Sequence, residues 1–298
     1  MAIKVYTDAA ASDDYTVAGN WTPAGVPADG DTLVYNDQAD GPMDVNVDAA
    51  SVGAKAHAVI VDPSFQYHIG SAAVPFSTQA SGNICFSTLI FAGSGITPSY
   101  FNADAADTCT RVMCDTKSAT ADVLVLGGAG SWGDVILRDG KMKLNSATVT
   151  GRIQLLGGQQ NAKSVLNIPS GCTLTGTETG VMGGELKCAS AIPLITVGGG
   201  VFTLDGIIGI GTRLEMYGGT TYWDAGSASV IALAEIFGGS LVTRKDRTGR
   251  TLTAGNVYGT GLMDFSVGGL NMTFTAPPRV YGSNPIRMPQ GTTFTFGI

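Results

Sequence analysis

Three stretches decide the fold: Leu194-Ile195-Thr196-Val197-Gly198-Gly199, Leu214-Glu215-Met216-Tyr217-Gly218-Gly219 and Ala234-Glu235-Ile236-Phe237-Gly238-Gly239. They recur every 20 residues. In each, an apolar or aromatic residue precedes a glycine pair. The residues before it alternate as they would in a strand, whose side chains point to opposite faces. Counted back from the glycines, Thr196, Met216 and Ile236 share a face with Leu194, Leu214 and Ala234. That face is mostly apolar and is assigned inward. Val197, Tyr217 and Phe237, with Ile195, Glu215 and Glu235, are assigned outward. Further pairs at Gly127, Gly157, Gly183 and Gly268 give a mean period of about 23, which is that of a β-solenoid. Each turn stacks about 4.8 Å from the next and cannot bury its core alone. A leucine-rich repeat shares the period, but its L-x-x-L-x-L-x-x-N line is missing.

Composition points the same way. Of 298 residues 42 are glycine, and only 14% are charged, against about 25% in an ordinary soluble domain. Low Glu and Lys with high Gly, Thr and Val disfavours helices, which excludes a helical bundle. A net charge of −7 argues against a nucleic-acid partner, which needs a basic footprint. The window Ala191–Gly211 is apolar but glycine-rich and reads as buried strands rather than a membrane span. No basic segment followed by an apolar run marks a signal peptide. The five cysteines, Cys85, Cys109, Cys114, Cys172 and Cys188, are irregularly spaced and read as buried thiols. With only His57 and His68 beside them, no zinc site is expected.

Residues 1–50 hold nine aspartates and one lysine, so nearly all the net charge resides there. Within them, Gly19-Asn20-Trp21-Thr22-Pro23-Ala24-Gly25-Val26-Pro27-Ala28-Asp29-Gly30-Asp31 leads into an apolar strand, Thr32-Leu33-Val34-Tyr35. A tryptophan, then Gly-x-Pro, then Gly-Asp and a strand resembles the opening of β-helical surface and virion proteins. The resemblance implies a cap, with Trp21, Pro27 and Asp31 closing the end of a stacked core. The expected architecture is all-β, a right-handed parallel β-helix with an N-terminal β-rich cap. Residues 1–120 form the cap and a strand-rich region, with a short helix around Asn102–Thr108. Residues 121–275 form six or seven coils. A Pro-rich tail, 276–298, ends in Thr292–Ile298, which would cover the last coil or pair with a neighbour.

Several constellations suggest chemistry. Glu215 and Glu235 occupy one repeat position, so stacking brings two carboxylates to roughly the separation of a retaining glycosidase pair. Tyr217, Tyr222, Trp223 and Phe237 would then be glycan platforms or, more simply, an exposed aromatic interface. Asp205 and Asp224 are weaker acid candidates. Asp29-Gly30-Asp31 and Asp37–Asp40 lack a complete calcium loop, and Gly127-Gly128-Ala129-Gly130-Ser131-Trp132 has Trp where a calcium repeat needs Asp. Arg244, Lys245, Arg247 and Arg250 form the only basic cluster, a candidate for docking on an acidic protein surface. There is no phosphate-binding loop and no Ser/His/Asp set.

A Gly/Thr-rich solenoid with little catalytic apparatus is similar to bacteriophage virion proteins, in particular capsid decoration (cement) proteins and tailspike shafts. That resemblance implies a non-enzymatic homotrimer. It would be made in the host cytoplasm and incorporated into the virion against the major capsid protein, with no cofactor, metal, nucleic acid or membrane. The alternative is a tailspike or receptor-binding protein that recognises or cleaves host polysaccharide. A bacterial surface β-helix is a third reading.

Overall fold

A computed structural model describes residues 1–47, 57–77, 87–94, 97–105, 107–116, 122–157, 164–176, 178–206, 209–226, 228–245, 249–267, 272–283 and 286–288. The fold is all-β, a parallel β-solenoid of about nine turns. It divides into two compact units, Met1–Gly151 with Gly158–Leu166, and Arg152–Gly157 with Asn167–Ile298.

In the first unit the parallel rungs begin at Ile3–Tyr6, far earlier than residue 121. This strand pairs in register with Thr32–Tyr35, then come Ala58–Val61, Thr88–Phe91, Thr108–Asp115 and Ser131–Asp139. A second sheet stacks Phe76–Ser77, Ser99–Asn102, Leu124–Gly127 and Lys141–Asn145. Leu33, Val59, Leu89, Val112 and Val135 share one interior column, all fully buried. The early coils escape the glycine count because their strands end in polar turns and loops rather than Gly-Gly. The described residues around Asn102–Thr108 hold no helix: Ser99–Asn102 and Thr108–Asp115 are strands, and the Ala103 amide donates to the Gly127 carbonyl of the next coil.

The first rung would leave its outer backbone edge unpaired, a template for unwanted association. Trp21–Thr22 pairs antiparallel along it. Trp21 is buried, packs edge-on against Tyr6 and Tyr15 at 5.4 Å each, and donates its indole N–H to the Tyr15 carbonyl. Pro27 is buried beside this loop in sequence. Asp31 accepts the amides of Ala2 at 2.6 Å and Ala28 at 3.0 Å. The Ala28 and Ala2 hydrogen bonds hold its carboxyl below the usual carboxylate range. Lys4 takes the first position of the interior column, and its ammonium donates to the carbonyls of Pro23, Ala24 and Gly25.

The second unit carries Ile153–Leu155, Thr179–Val181, Ile192–Val197, Ile210–Met216, Val230–Ile236 and Arg250–Gly259 as consecutive parallel rungs. Its other sheet stacks Glu185–Cys188, Val201–Leu204, Thr220–Trp223, Ser240–Val242 and Leu262–Asp264. The tail region contributes one more rung, since Arg279–Gly282 pairs with Asn256–Gly259 just after the Pro277-Pro278 break. Thr292–Ile298 lies outside the described residues.

The inward assignment holds for Leu214, Met216, Ala234 and Ile236, all fully buried. One coil earlier it is off by one residue. Ile195 and Val197 are the buried pair, and they align with Leu214 and Met216. The cause is the triple glycine Gly198-Gly199-Gly200. The tight turn uses the second and third of these, so Gly200, Gly219 and Gly239 stack at φ of +65°, +68° and +75°. A Cβ on Gly219 would stand 2.6 Å from the Gly200 carbonyl oxygen.

Candidate functional site

The most distinctive surface of the second unit is the outward face of its first sheet. The residue following each inward-pointing rung end projects outward, so the register aligns Leu156, Met182, Gly198, Tyr217, Phe237, Tyr258 and Tyr281 in one column. The four rings stack face to face. Centroids lie 5.1, 4.7 and 4.9 Å apart and planes differ by only 7° to 8°. Tyr217 and Tyr281 are each 56% exposed, and Met182 and Leu156 are also exposed. The sequence reading found Tyr217 and Phe237 but missed Tyr258 and Tyr281. The usable signal was an aromatic residue followed by a single glycine, as in Tyr258-Gly259 and Tyr281-Gly282.

This stacking limits what the column can bind. Planar rings and the apolar C–H faces of sugars pack on aromatic faces. Here both faces of Phe237 and Tyr258 are covered by neighbouring rings, and the ladder presents edges to solvent.

The next outward column runs Gln154, Gly180, Thr196, Glu215, Glu235, Asn256 and Arg279. The register brings Glu215 and Glu235 to adjacent rungs, as their spacing predicts. Arg213 pairs with both, at 2.9 Å to Glu215 and 3.6 Å to Glu235. One guanidinium thus offsets the like-charge repulsion of two stacked carboxylates. Arg213 and Arg279 together balance Glu215 and Glu235, so these four charges on the face cancel.

Other candidates are placed differently. Trp223 is not an interface residue: it is fully buried and donates its indole N–H to Ser229 Oγ at 2.8 Å. Strand alternation puts it inward and Tyr222 outward. Tyr222 carries the Arg244 guanidinium 3.6 Å above its ring, and Arg244 donates through Nε and Nη2 to the buried Asp224. Arg250 is fully buried, donating to the carbonyls of Ala225 and Lys245. The expected basic cluster is therefore divided: Lys245 is exposed, Arg244 and Arg250 are tied into the structure, and Arg247 lies outside the described residues. Asp205 is exposed and caps the Gly206 amide.

No group of three or more His, Cys, Asp or Glu side chains is placed to hold a metal ion among the described residues. The Gly127–Trp132 loop is closed by the Trp132 indole donating to the Gly127 carbonyl at 3.1 Å. Cys109, Cys114, Cys172 and Cys188 are buried and reduced. Burial pushes the Cys188 thiol up to about 12 and Cys114 higher still. Cys85 lies outside the described residues. A trough of about 610 Å3 runs beside Ile192, Ile210 and Val230, and among the described residues no titratable side chain lines it. No helix among the described residues is long and apolar enough to cross a membrane.

The fold and this face define a parallel β-solenoid with an external aromatic ladder. No protein-family model matches the chain, and no curated protein or solved structure matches it.

Proposed function

We propose that the protein is a structural assembly module of a bacteriophage particle, a capsid decoration protein rather than an enzyme, and that the ladder face of its second unit is an assembly surface. The observation that carries the reading is the edge-out stack of Tyr217, Phe237, Tyr258 and Tyr281 on in-register rungs. Such a row is rigid, because each ring is fixed by its neighbours. It is also costly to leave wet, since burying an aromatic side chain is worth about 1.5–3 kcal/mol. Two features weigh against the tailspike alternative. Both faces of Phe237 and Tyr258 are covered by neighbouring rings, and the Glu215–Glu235 carboxylate pair is engaged by Arg213.

The test is direct. Gold-labelled antibody raised against the purified protein is applied to phage particles from lysates of the source cells. Label over the capsid shell is expected. Label confined to tail tips or to the host envelope would replace decoration by receptor binding. Cleavage of host polysaccharide by the pure protein, abolished by Glu215→Gln, would overturn the non-enzymatic reading.

A further inference from the structure

We propose that the occupant of the ladder face is a second copy of this chain, packed antiparallel about a two-fold axis that runs along the strands between the Gly198 and Tyr217 rungs. The inference rests on the assembly reading only in taking this face as an interface. It does not depend on a phage particle.

Three observations favour this partner. The first is bulk. The column is small or aliphatic at Leu156, Met182 and Gly198, and aromatic from Tyr217 onward. Reversing one copy sets Tyr217 over Gly198, Phe237 over Met182 and Tyr258 over Leu156. Large side chains then meet small or flexible ones, as interdigitating sheets require. Gly198 has no side chain of its own, and the flexible Met182 thioether reaches over it, its sulfur 2.7 Å from where a Cβ would stand. Met182 against Phe237 is also a favourable sulfur–aromatic contact.

The second is charge. The net charge of −7 resides almost wholly in residues 1–50, so the second unit has little net charge with which to repel a second copy. On this face Arg213 and Arg279 cancel Glu215 and Glu235. The antiparallel pairing sets Glu215 opposite Thr196 and Glu235 opposite Gly180. A parallel threefold arrangement, which the virion resemblance implies, would instead converge like residues at each rung, Glu215 with Glu215 and Glu235 with Glu235. Like charges held opposite one another are destabilising.

The third is size. Six rungs of about 4.8 Å by five residues of about 3.3 Å give about 500 Å2 on each copy. The total of about 1,000 Å2 reaches the lower bound for a specific interface, in keeping with a dimer that dissociates on dilution.

Sedimentation equilibrium on the full chain tests the stoichiometry. Twice the chain mass at tens of micromolar, falling to the monomer on dilution, is the expected result. A monomer throughout, or a trimer, overturns the proposal. Cysteine cross-linking tests the register. The double variant Leu156→Cys/Tyr258→Cys is expected to form disulfide-linked dimers on mild oxidation, because each new thiol faces its counterpart on the other copy. Within one chain the two positions are five rungs apart, about 24 Å, and cannot bridge. Phe237→Cys alone is expected to stay unlinked. Efficient linking of Phe237→Cys, or none in the double variant, would overturn the antiparallel register. Circular dichroism of each variant confirms folding. A dimer without label on particles leaves this inference standing and removes the virion reading; labelled shells with a monomeric protein do the reverse.

Discussion

Replacing Gly219 by alanine tests the stacked-turn account of the repeat. Gly219 has φ of +68°, and an added Cβ would lie 2.6 Å from the Gly200 carbonyl oxygen and 2.7 Å from the Gly199 carbonyl carbon. Holding a residue with a Cβ in the left-handed region costs about 1–2 kcal/mol. The contacts are with the backbone of the preceding coil, which cannot rotate away, and such overpacking adds about 1–3 kcal/mol. The total is about 2–5 kcal/mol. A loss near the middle of that range, about 3 kcal/mol, lowers the melting midpoint by about 6–12 °C for a unit of this size. Gly211→Ala is the matched control. It lies in the same unit, its φ is outside the left-handed region and an added Cβ would meet nothing within 4 Å. Its effect is expected within about 1 kcal/mol and toward greater stability, since alanine has less freedom to lose on folding. Thermal melts followed at the strand band of circular dichroism compare the two. Coincident midpoints would refute the claim that backbone contact between successive coils dictates the glycine pair.

Trp223→Ala should destabilise the second unit by about 3–5 kcal/mol in urea titrations, as loss of a buried indole does. An exposed interface residue would show almost no change in the isolated chain. Asp31→Ala should cost about 1–3 kcal/mol, because the amides of Ala2 and Ala28 lose their acceptor. The same carboxyl is held below its ordinary range in the folded state. Its contribution is therefore complete above the unfolded value near 4 and is lost as pH falls through the lower folded value. Acid titration of Asp31→Asn should lack that component. Arg250→Met should destabilise by about 2 kcal/mol or more, since charged hydrogen bonds are worth about 1.5–3 kcal/mol each. Lys245→Ala should be silent, and equal effects would contradict the buried placement of Arg250.

The assembly of strands into a solenoid was legible in the sequence because the repeat imposes it. Glycine pairs recur where the turn needs a left-handed residue with no Cβ. Alternation between them assigns Leu214, Met216, Ala234 and Ile236 inward and Tyr217 and Phe237 outward. The adjacency of Glu215 and Glu235 follows from the same count. Three matters were decided only by tertiary structure. Register at Gly198-Gly199-Gly200 is ambiguous along the chain, since either glycine pair could make the turn, and stacking on Gly184 and Gly219 selects the second. The early coils carry no glycine signature, because pairing between distant strands such as Ile3–Tyr6 and Thr32–Tyr35 leaves no local mark. The roles of polar and aromatic side chains depend on what lies one coil away. Arg213 reaches two carboxylates, Arg244 reaches Asp224, Trp223 turns into the core, and four rings that are 20 to 23 residues apart become one ladder. A repeat fixes the direction in which side chains point, but only the stacking distance between coils determines which of them touch.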